Sequence, residues 1–300
     1  MIKKPFLIAG LALICLVLLY LGFSLYIARQ IIYPSPSEDR INISAKIVSS
    51  DYEDITIKSS NNVKLKGWLF HGKTNNLIIM IAGFKQNRIN NDYYGVMIAK
   101  ELVGLGYSVL LYDNQATGES DGNYLTFGIK ESKDLLSVVD FARKKGFKDE
   151  KIGIIGDSMG AISLLLASDH LKNIGALVVD SPANNVKRVM RNILKNENNV
   201  PSFFHPAVFS ILKYIYNIDL DSIKPSEHVA IIPERIFLFL HGGLDTSIYP
   251  LESRELLTIA NPKSKLVIFP KGKHIETYKS DPDLYRKTVF SFLSESIRKN

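Results

Sequence analysis

The chain has 300 residues, 46% of them hydrophobic and 22% charged, and a formal net charge of +7. That length suits one large α/β domain with a small appendage, and the composition excludes a disordered chain, a collagen-like chain and a disulfide scaffold. The lysines are scattered, with no basic helix and no basic stripe interleaved with aromatics, so no nucleic-acid partner is expected; the single Cys15 excludes an intramolecular disulfide.

Lys3 and Lys4 precede an uncharged run from Phe6 to Ala28. As a helix that run is about 34 Å long, against a hydrocarbon core of roughly 30 Å. A charge near its middle would cost roughly 2.5–3.5 kcal/mol on the insertion scale, and there is none. Tyr20, Tyr26 and Tyr33 lie toward its far end, where amphipathic rings favour the interface. A cleaved signal peptide would have a shorter apolar region and a small-residue cleavage site. This run stays apolar through Leu25, Tyr26 and Ile27, and Ile14 precedes Cys15 where a lipoprotein signal has a small residue. A buried core helix would show a polar face. Residues 1–28 therefore read as an uncleaved, single-pass signal-anchor. The two lysines put the N-terminus in the cytoplasm and the rest of the chain on the opposite side, with Arg29, Arg40 and Lys46 counting against that orientation.

Residues 29–50 read as a linker, with Tyr33-Pro34-Ser35-Pro36-Ser37 unable to continue a helix. Residues 51–300 read as one domain. Ile55–Ile57 and Val63–Phe70 predict a hairpin around Ser59-Ser60-Asn61-Asn62. Leu77–Ala82 is a continuous apolar run, as in a strand buried on both faces. Helix Tyr94–Leu105 stops at Gly106 and strand Tyr107–Tyr112 follows. Then come helix Ile129–Arg143, strand Lys151–Ile155, helix Met159–Ser168 and strand Ala176–Val179. Strands Ile236–Leu240 and Leu266–Phe269 and helices Leu251–Ile259 and Pro282–Ile297 complete the pattern. This alternation predicts an α/β fold with a mostly parallel sheet between helices. From about Ala183 to Pro233 the rhythm breaks. Val189–Leu194 and Phe203–Tyr216 are helical in spacing, and the insertion reads as a short helical lid. Its aromatics, Phe203, Phe204, Phe209, Tyr214 and Tyr216, either cover a site or pack its own core.

Gly156-Asp157-Ser158-Met159-Gly160 lies between a strand and a helix. G-x-S-x-G alone is weak, but strand–turn–helix is the setting of a nucleophile elbow, where a sharp turn requires glycine two residues either side. A hydroxyl nucleophile needs a base, and the base an orienting carboxylate. Asp245, after strand Ile236–Leu240, and His274, after strand Leu266–Phe269, are in the required order, at strand carboxyl ends where α/β sheets bind ligands. Asp180 is the rival acid and His241 the rival base; His71, His170, His205 and His228 have no partner pattern. Two amides must form the oxyanion hole: Met159, after the nucleophile, and Phe84, in the loop after Leu77–Ala82. No metal or organic cofactor is implied, since no His, Cys or carboxylate cluster has ligand spacing.

From about Asp54 to Ile297 the chain resembles the serine α/β-hydrolases of the monoacylglycerol lipase and serine aminopeptidase type, especially membrane-anchored α/β-hydrolase domain proteins. Their H-G-x-x-x-x-R loop stands here as Ala82-Gly83-Phe84-Lys85-Gln86-Asn87-Arg88. Their D-x-R-G-x-G-x-S block stands as Asp113-Asn114-Gln115-Ala116-Thr117-Gly118-Glu119-Ser120. Gly156–Gly160, Asp180-Ser181-Pro182, His241-Gly242-Gly243-Leu244-Asp245 and Gly272-Lys273-His274 follow in order. The resemblance implies Ser158, Asp245 and His274 as triad and Phe84 and Met159 as oxyanion hole. Ala82 in place of His, and Gln115-Ala116 in place of Arg-Gly, depart from the pattern beside the site and argue against borrowing a substrate. The expected activity is hydrolysis of an ester or thioester, in an acyl lipid or acylated protein, through an acyl-enzyme. The alternatives are a serine peptidase of the same fold and a non-catalytic binding protein.

Overall fold

The computed structural model describes residues 4–34, 43–89 and 94–298. Lys3, Ser35, Pro36, Ser37 and Arg40, named above in the anchor flank and linker, lie outside them. Helix α1 spans Lys4–Ile32 and is long and apolar enough to cross a membrane. It continues past Ala28, so Arg29 to Ile32, assigned above to the linker, are helical. Its large apolar side chains are exposed from Phe6 to Leu19, whereas Ile27, Ala28 and Ile32 are buried. Burying each isoleucine is worth roughly 1.5–3 kcal/mol, enough to hold the end of α1 against the domain.

Eight strands form one sheet in the order β1-β2-β4-β3-β5-β6-β7-β8. The hairpin β1 (Tyr52–Lys58) and β2 (Lys64–Phe70) is antiparallel, and β2 pairs antiparallel with β4. The strands β3 (Leu77–Ile81), β4 (Ser108–Tyr112), β5 (Ile152–Asp157), β6 (Ala176–Asp180), β7 (Leu238–Gly242) and β8 (Lys265–Phe269) run parallel. Every residue of β3, β4, β6 and β7 is buried, as the continuous apolar runs require of strands covered on both faces.

The other helices are α2 (Tyr94–Gly104), α3 (Ile129–Lys144), α4 (Met159–Ala167), α5 (Val186–Asn192), α6 (His205–Tyr214), α7 (Pro225–Ile231), α8 (Leu251–Ile259), α9 (Thr277–Ser280), α10 (Pro282–Tyr285) and α11 (Ser291–Arg298). A wider π turn over Arg286–Phe290 joins α10 to α11, so the single C-terminal helix expected from sequence has an interruption. Leu135 and Val138 of α3, Leu164 of α4 and Leu256 of α8 pack on one face of the sheet. Val96 and Leu102 of α2 and Val289 and Leu293 of the C-terminal helix pack on the other. A third cluster joins the end of α1 to the insertion: Ile27, Ala28 and Ile32 meet Val186, Met190, Leu194, Val208 and Leu212. Helix α7 departs from the expected lid, because Val229 and Ile232 belong to the core beside α4.

The sheet order positions the site. The chain goes from β3 outward to β4, then returns to place β5 on the other side of β3. Such a reversal leaves a crevice at the strand carboxyl ends, where open α/β sheets bind ligands. The loop after β3 and the turn after β5 both open there.

Candidate active site

β5 ends at Asp157 and α4 begins at Met159, so Ser158 alone makes the turn, at φ 52 and ψ −112. Few residues other than glycine adopt a positive φ, and this one is held by its surroundings. A Cβ on Gly156 would lie 2.6 Å from the Gly160 oxygen, and one on Gly160 would lie 2.9 Å from the Ala82 oxygen. Both glycines are thus required by close backbone approach. The Ser158 amide donates to the Asp180 carbonyl at 2.8 Å. Its side chain stands above the sheet at the start of α4, where the helix dipole favours negative charge.

His274 Nε2 lies 2.9 Å from Ser158 Oγ, and His274 Nδ1 lies 2.7 Å from Asp245 Oδ2. With its proton on Nδ1, His274 donates to Asp245 and leaves Nε2 to accept from the serine hydroxyl. Asp245 is buried, and its Oδ1 accepts from the Ser247 and Ile248 amides at 3.0 and 2.8 Å. Burial would raise the Asp245 carboxyl, but hydrogen bonds from His241 and His274 outweigh it and hold the pKa at about 2. An ionised carboxylate so placed fixes the imidazole tautomer and stabilises an imidazolium. Ile275, the next residue, is β-branched at φ 51, a strained conformation that packing must hold.

The rivals are placed otherwise. Asp180 accepts from Thr277 Oγ1 and, at 2.9 Å, from Ser181 Oγ, while His274 turns to Asp245. Burial raises the Asp180 carboxyl, partly offset by those two hydroxyls. Its register neighbour Asp157 is raised further, by burial and then by the Asp180 charge. His241 is fully buried, with Nδ1 2.7 Å from Ser253 Oγ and Nε2 2.8 Å from the Ile248 carbonyl and 3.4 Å from Asp245 Oδ2. It steadies the Asp245 loop. His71 faces Glu53, His170 and His228 face Asp169, and His205 meets the Val200 carbonyl.

β3 pairs with β5 as far as its own end, Ile81 opposite Gly156, so the loop after β3 starts beside the turn at Ser158. Gln86 closes that loop: its amide donates to the Gly83 carbonyl and its Oε1 accepts from the Gly83 amide at 3.2 Å. A Cβ on Gly83 would be 3.4 Å from the Ser158 Cβ, so the loop passes close beside Ser158. Phe84 and Met159 both border the cavity that holds Ser158 and His274. Arg88 fixes the far end of the loop. Its guanidinium is buried against the Trp68 ring at 4.8 Å, with Nη2 2.6 Å from Asp113 Oδ2, and its amide donates to Asp113 Oδ1 at 2.7 Å. Ala82, where the resembled proteins have His, accepts from Asn114 Nδ2 at 3.0 Å.

The cavity has a volume of about 500 Å³, within the usual range for small-molecule sites. The insertion supplies Val186, Val189, Met190, Ile193 and Leu194 to its wall, and α1 supplies Phe23, Tyr26, Ile27, Gln30 and Ile31. Sequence reasoning missed the α1 wall. Polar Ser24 and Gln30 near the end of the apolar run were the available sign. Phe203 and Phe204 of the insertion serve this junction. Phe204 stacks on Tyr20 at 5.2 Å and meets Phe23 edge-on at 4.9 Å, and the Tyr20 hydroxyl donates to the Phe203 carbonyl at 2.7 Å. Two α1 carbonyls are satisfied from the domain: Gln30 accepts from Lys85 Nζ at 2.7 Å and Ile32 from the Leu125 amide at 2.9 Å. Among the described residues no three His, Cys, Asp or Glu side chains are grouped to hold a metal ion.

A mostly parallel sheet of this order, with a tight strand–turn–helix at its reversal, defines a fold class, and comparison with known proteins agrees on the fold. The family described as X-Pro dipeptidyl-peptidase (S15 family) matches over residues 57–198. The uncharacterised protein YqkD of Bacillus subtilis is 31% identical over 243 residues, covering 79% of this chain and 77% of that protein. The α/β-hydrolase domain-containing protein WAV2 of Arabidopsis thaliana is 24% identical over 249 residues, covering 81% and 79%. The solved structure of the Pyrococcus furiosus esterase Pf2001 superposes with a TM-score of 0.73 at 25% identity, covering 89% of this chain and 98% of that one. The chain belongs to the α/β-hydrolase superfamily.

Proposed function

We propose that this protein is a serine hydrolase that cleaves an acyl ester or thioester, with Ser158 as nucleophile, His274 as base and Asp245 as orienting acid. The hydrogen-bonded series Ser158–His274–Asp245 carries this reading. His274 Nε2 takes the hydroxyl proton as Ser158 Oγ attacks the substrate carbonyl carbon. The Phe84 and Met159 amides hold the oxyanion. As the tetrahedral adduct collapses, His274 returns the proton to the departing alcohol or thiol, leaving an acyl-enzyme. Water, deprotonated by His274, then releases the acid and restores Ser158.

Residues 1–28 act as a signal-anchor whose helix runs on into the domain. Residues 51–300 are the hydrolase domain, with a cap in the insertion of about 183–233. The lysine bias supports a cytoplasmic N-terminus and a catalytic domain on the opposite side. The match to a peptidase family supports a second reading, in which the same groups cleave an amide. The purified full-length chain in detergent should cleave p-nitrophenyl acyl esters and leave aminoacyl p-nitroanilides intact. Faster cleavage of the anilides would establish the peptidase reading. Inertness toward both substrates and toward a fluorophosphonate probe would establish a binding protein.

A further inference from the structure

The Ser158 cavity shares a wall with the helix that is apolar enough to cross a membrane. Phe23 and Tyr26 line the cavity, yet they are 48% and 56% exposed. A residue that lines a cavity and also reaches solvent stands at its mouth, so the cavity opens beside α1. The stretch of α1 from Phe6 to Phe23 is about 26 Å long as a helix. A hydrocarbon core is roughly 30 Å thick. A bilayer spanned from Phe6 therefore ends near Phe23 and Tyr26, at the level of the opening. Tyr20, Phe203 and Phe204 cluster at that level, as rings do at a membrane interface. Inward of the mouth come Ile27 and Ile31, then Met190, Leu194, Ile162 and Phe127.

We propose that the last turns of α1 form one wall of an acyl-chain site, with Ile27 and Ile31 as specificity-determining residues. The substrate is a long-chain acyl ester or thioester resident in the bilayer, which enters past Phe23 and Tyr26 without crossing water. This rests on the hydrolase reading above and adds the substrate class and the residues that select it. A long apolar chain can leave lipid without loss only if the wall is continuous, so one bulky residue in it discriminates by chain length.

The full-length chain in phosphatidylcholine vesicles tests this. The readout is the ratio of kcat/KM for p-nitrophenyl palmitate, carried in the bilayer, to that for p-nitrophenyl butyrate, added from water. Ile31→Trp should lower the ratio by about tenfold or more. Tyr26→Ala, at an exposed position that spares the fold, should lower it by about threefold. Leu19→Ala, on the lipid-facing part of the same helix, should leave it within about twofold. Ratios equal to wild type in both Ile31→Trp and Tyr26→Ala, with butyrate still cleaved by the wild type, would overturn the α1 wall and leave the hydrolase standing. A wild-type chain that cleaves neither ester and takes no fluorophosphonate at Ser158 would overturn both.

Discussion

Gly160 packs so closely on Ile81 that a Cβ on the glycine would overlap the Ile81 carbonyl oxygen. This contact joins the turn after β5 to the end of β3, and so sets Ser158, the proposed nucleophile, against the loop proposed to complete the oxyanion hole. Backbone cannot yield to a methyl group as a flexible side chain can. Gly160→Ala should therefore push α4 away from β3 and cut fluorophosphonate labelling of Ser158 by more than about tenfold, with a lowered melting temperature. Full labelling at the wild-type rate would mean that the elbow tolerates displacement.

The acid can be assigned by rate. Asp245→Asn should lower kcat on p-nitrophenyl butyrate by roughly 10⁴, because the amide cannot hold the His274 tautomer. Asp180→Asn should cost much less, since Asp180 is engaged by Thr277 and Ser181. The reverse ranking would move the acid to Asp180.

The Arg88–Asp113 pair is buried on both sides, with side chains 1% and 0% exposed. Removing one partner strands the other charge. Arg88→Met should destabilise the domain by roughly 3–5 kcal/mol in denaturant unfolding of the detergent-solubilised chain. A loss below about 1 kcal/mol would mean that water reaches Asp113.

Asp134 bears on stability against pH. Burial pushes its carboxyl up to about 6, partly offset by hydrogen bonds from Ser59 and Asn61. Below about pH 4 both the folded and unfolded chains keep this proton. Between about pH 4 and 6 the unfolded chain loses it while the folded chain holds it, so stability falls as pH rises. The total is roughly 3 kcal/mol, at about 1.4 kcal/mol per pH unit. Asp134→Asn removes that dependence. The stability of the variant relative to wild type should rise by this amount from pH 4 to 7; a constant difference across the range would contradict the assignment.

The parallel strands were legible because a strand covered on both faces must be apolar throughout, as Leu77–Ile81 and Ala176–Val179 are. The tight turn at Ser158 was legible because it tolerates no side chain at Gly156 or Gly160. Two features were hidden for physical reasons. Helix α7 is short and lies within the insertion, so its burial beside α4 depends on contacts far away in sequence. In α1, a surface that meets lipid and a surface that meets a cavity have the same composition. Hydropathy does not distinguish Leu19, which is exposed, from Ile27, which is buried; only the polar Ser24 and Gln30 mark where the two surfaces change over. The aromatics of the insertion left two uses open, and the structure gives Phe203 and Phe204 a third, as the seat of α1.

The most direct test of the central claim is fluorophosphonate labelling of the full-length protein, followed by mass spectrometry of the modified peptide. One adduct is expected, on Ser158, absent in Ser158→Ala, with His274→Ala slowing labelling by several orders of magnitude and kcat falling by about 10⁶ in either variant. An adduct on another residue, or labelling of Ser158 at an unchanged rate in His274→Ala, would contradict it.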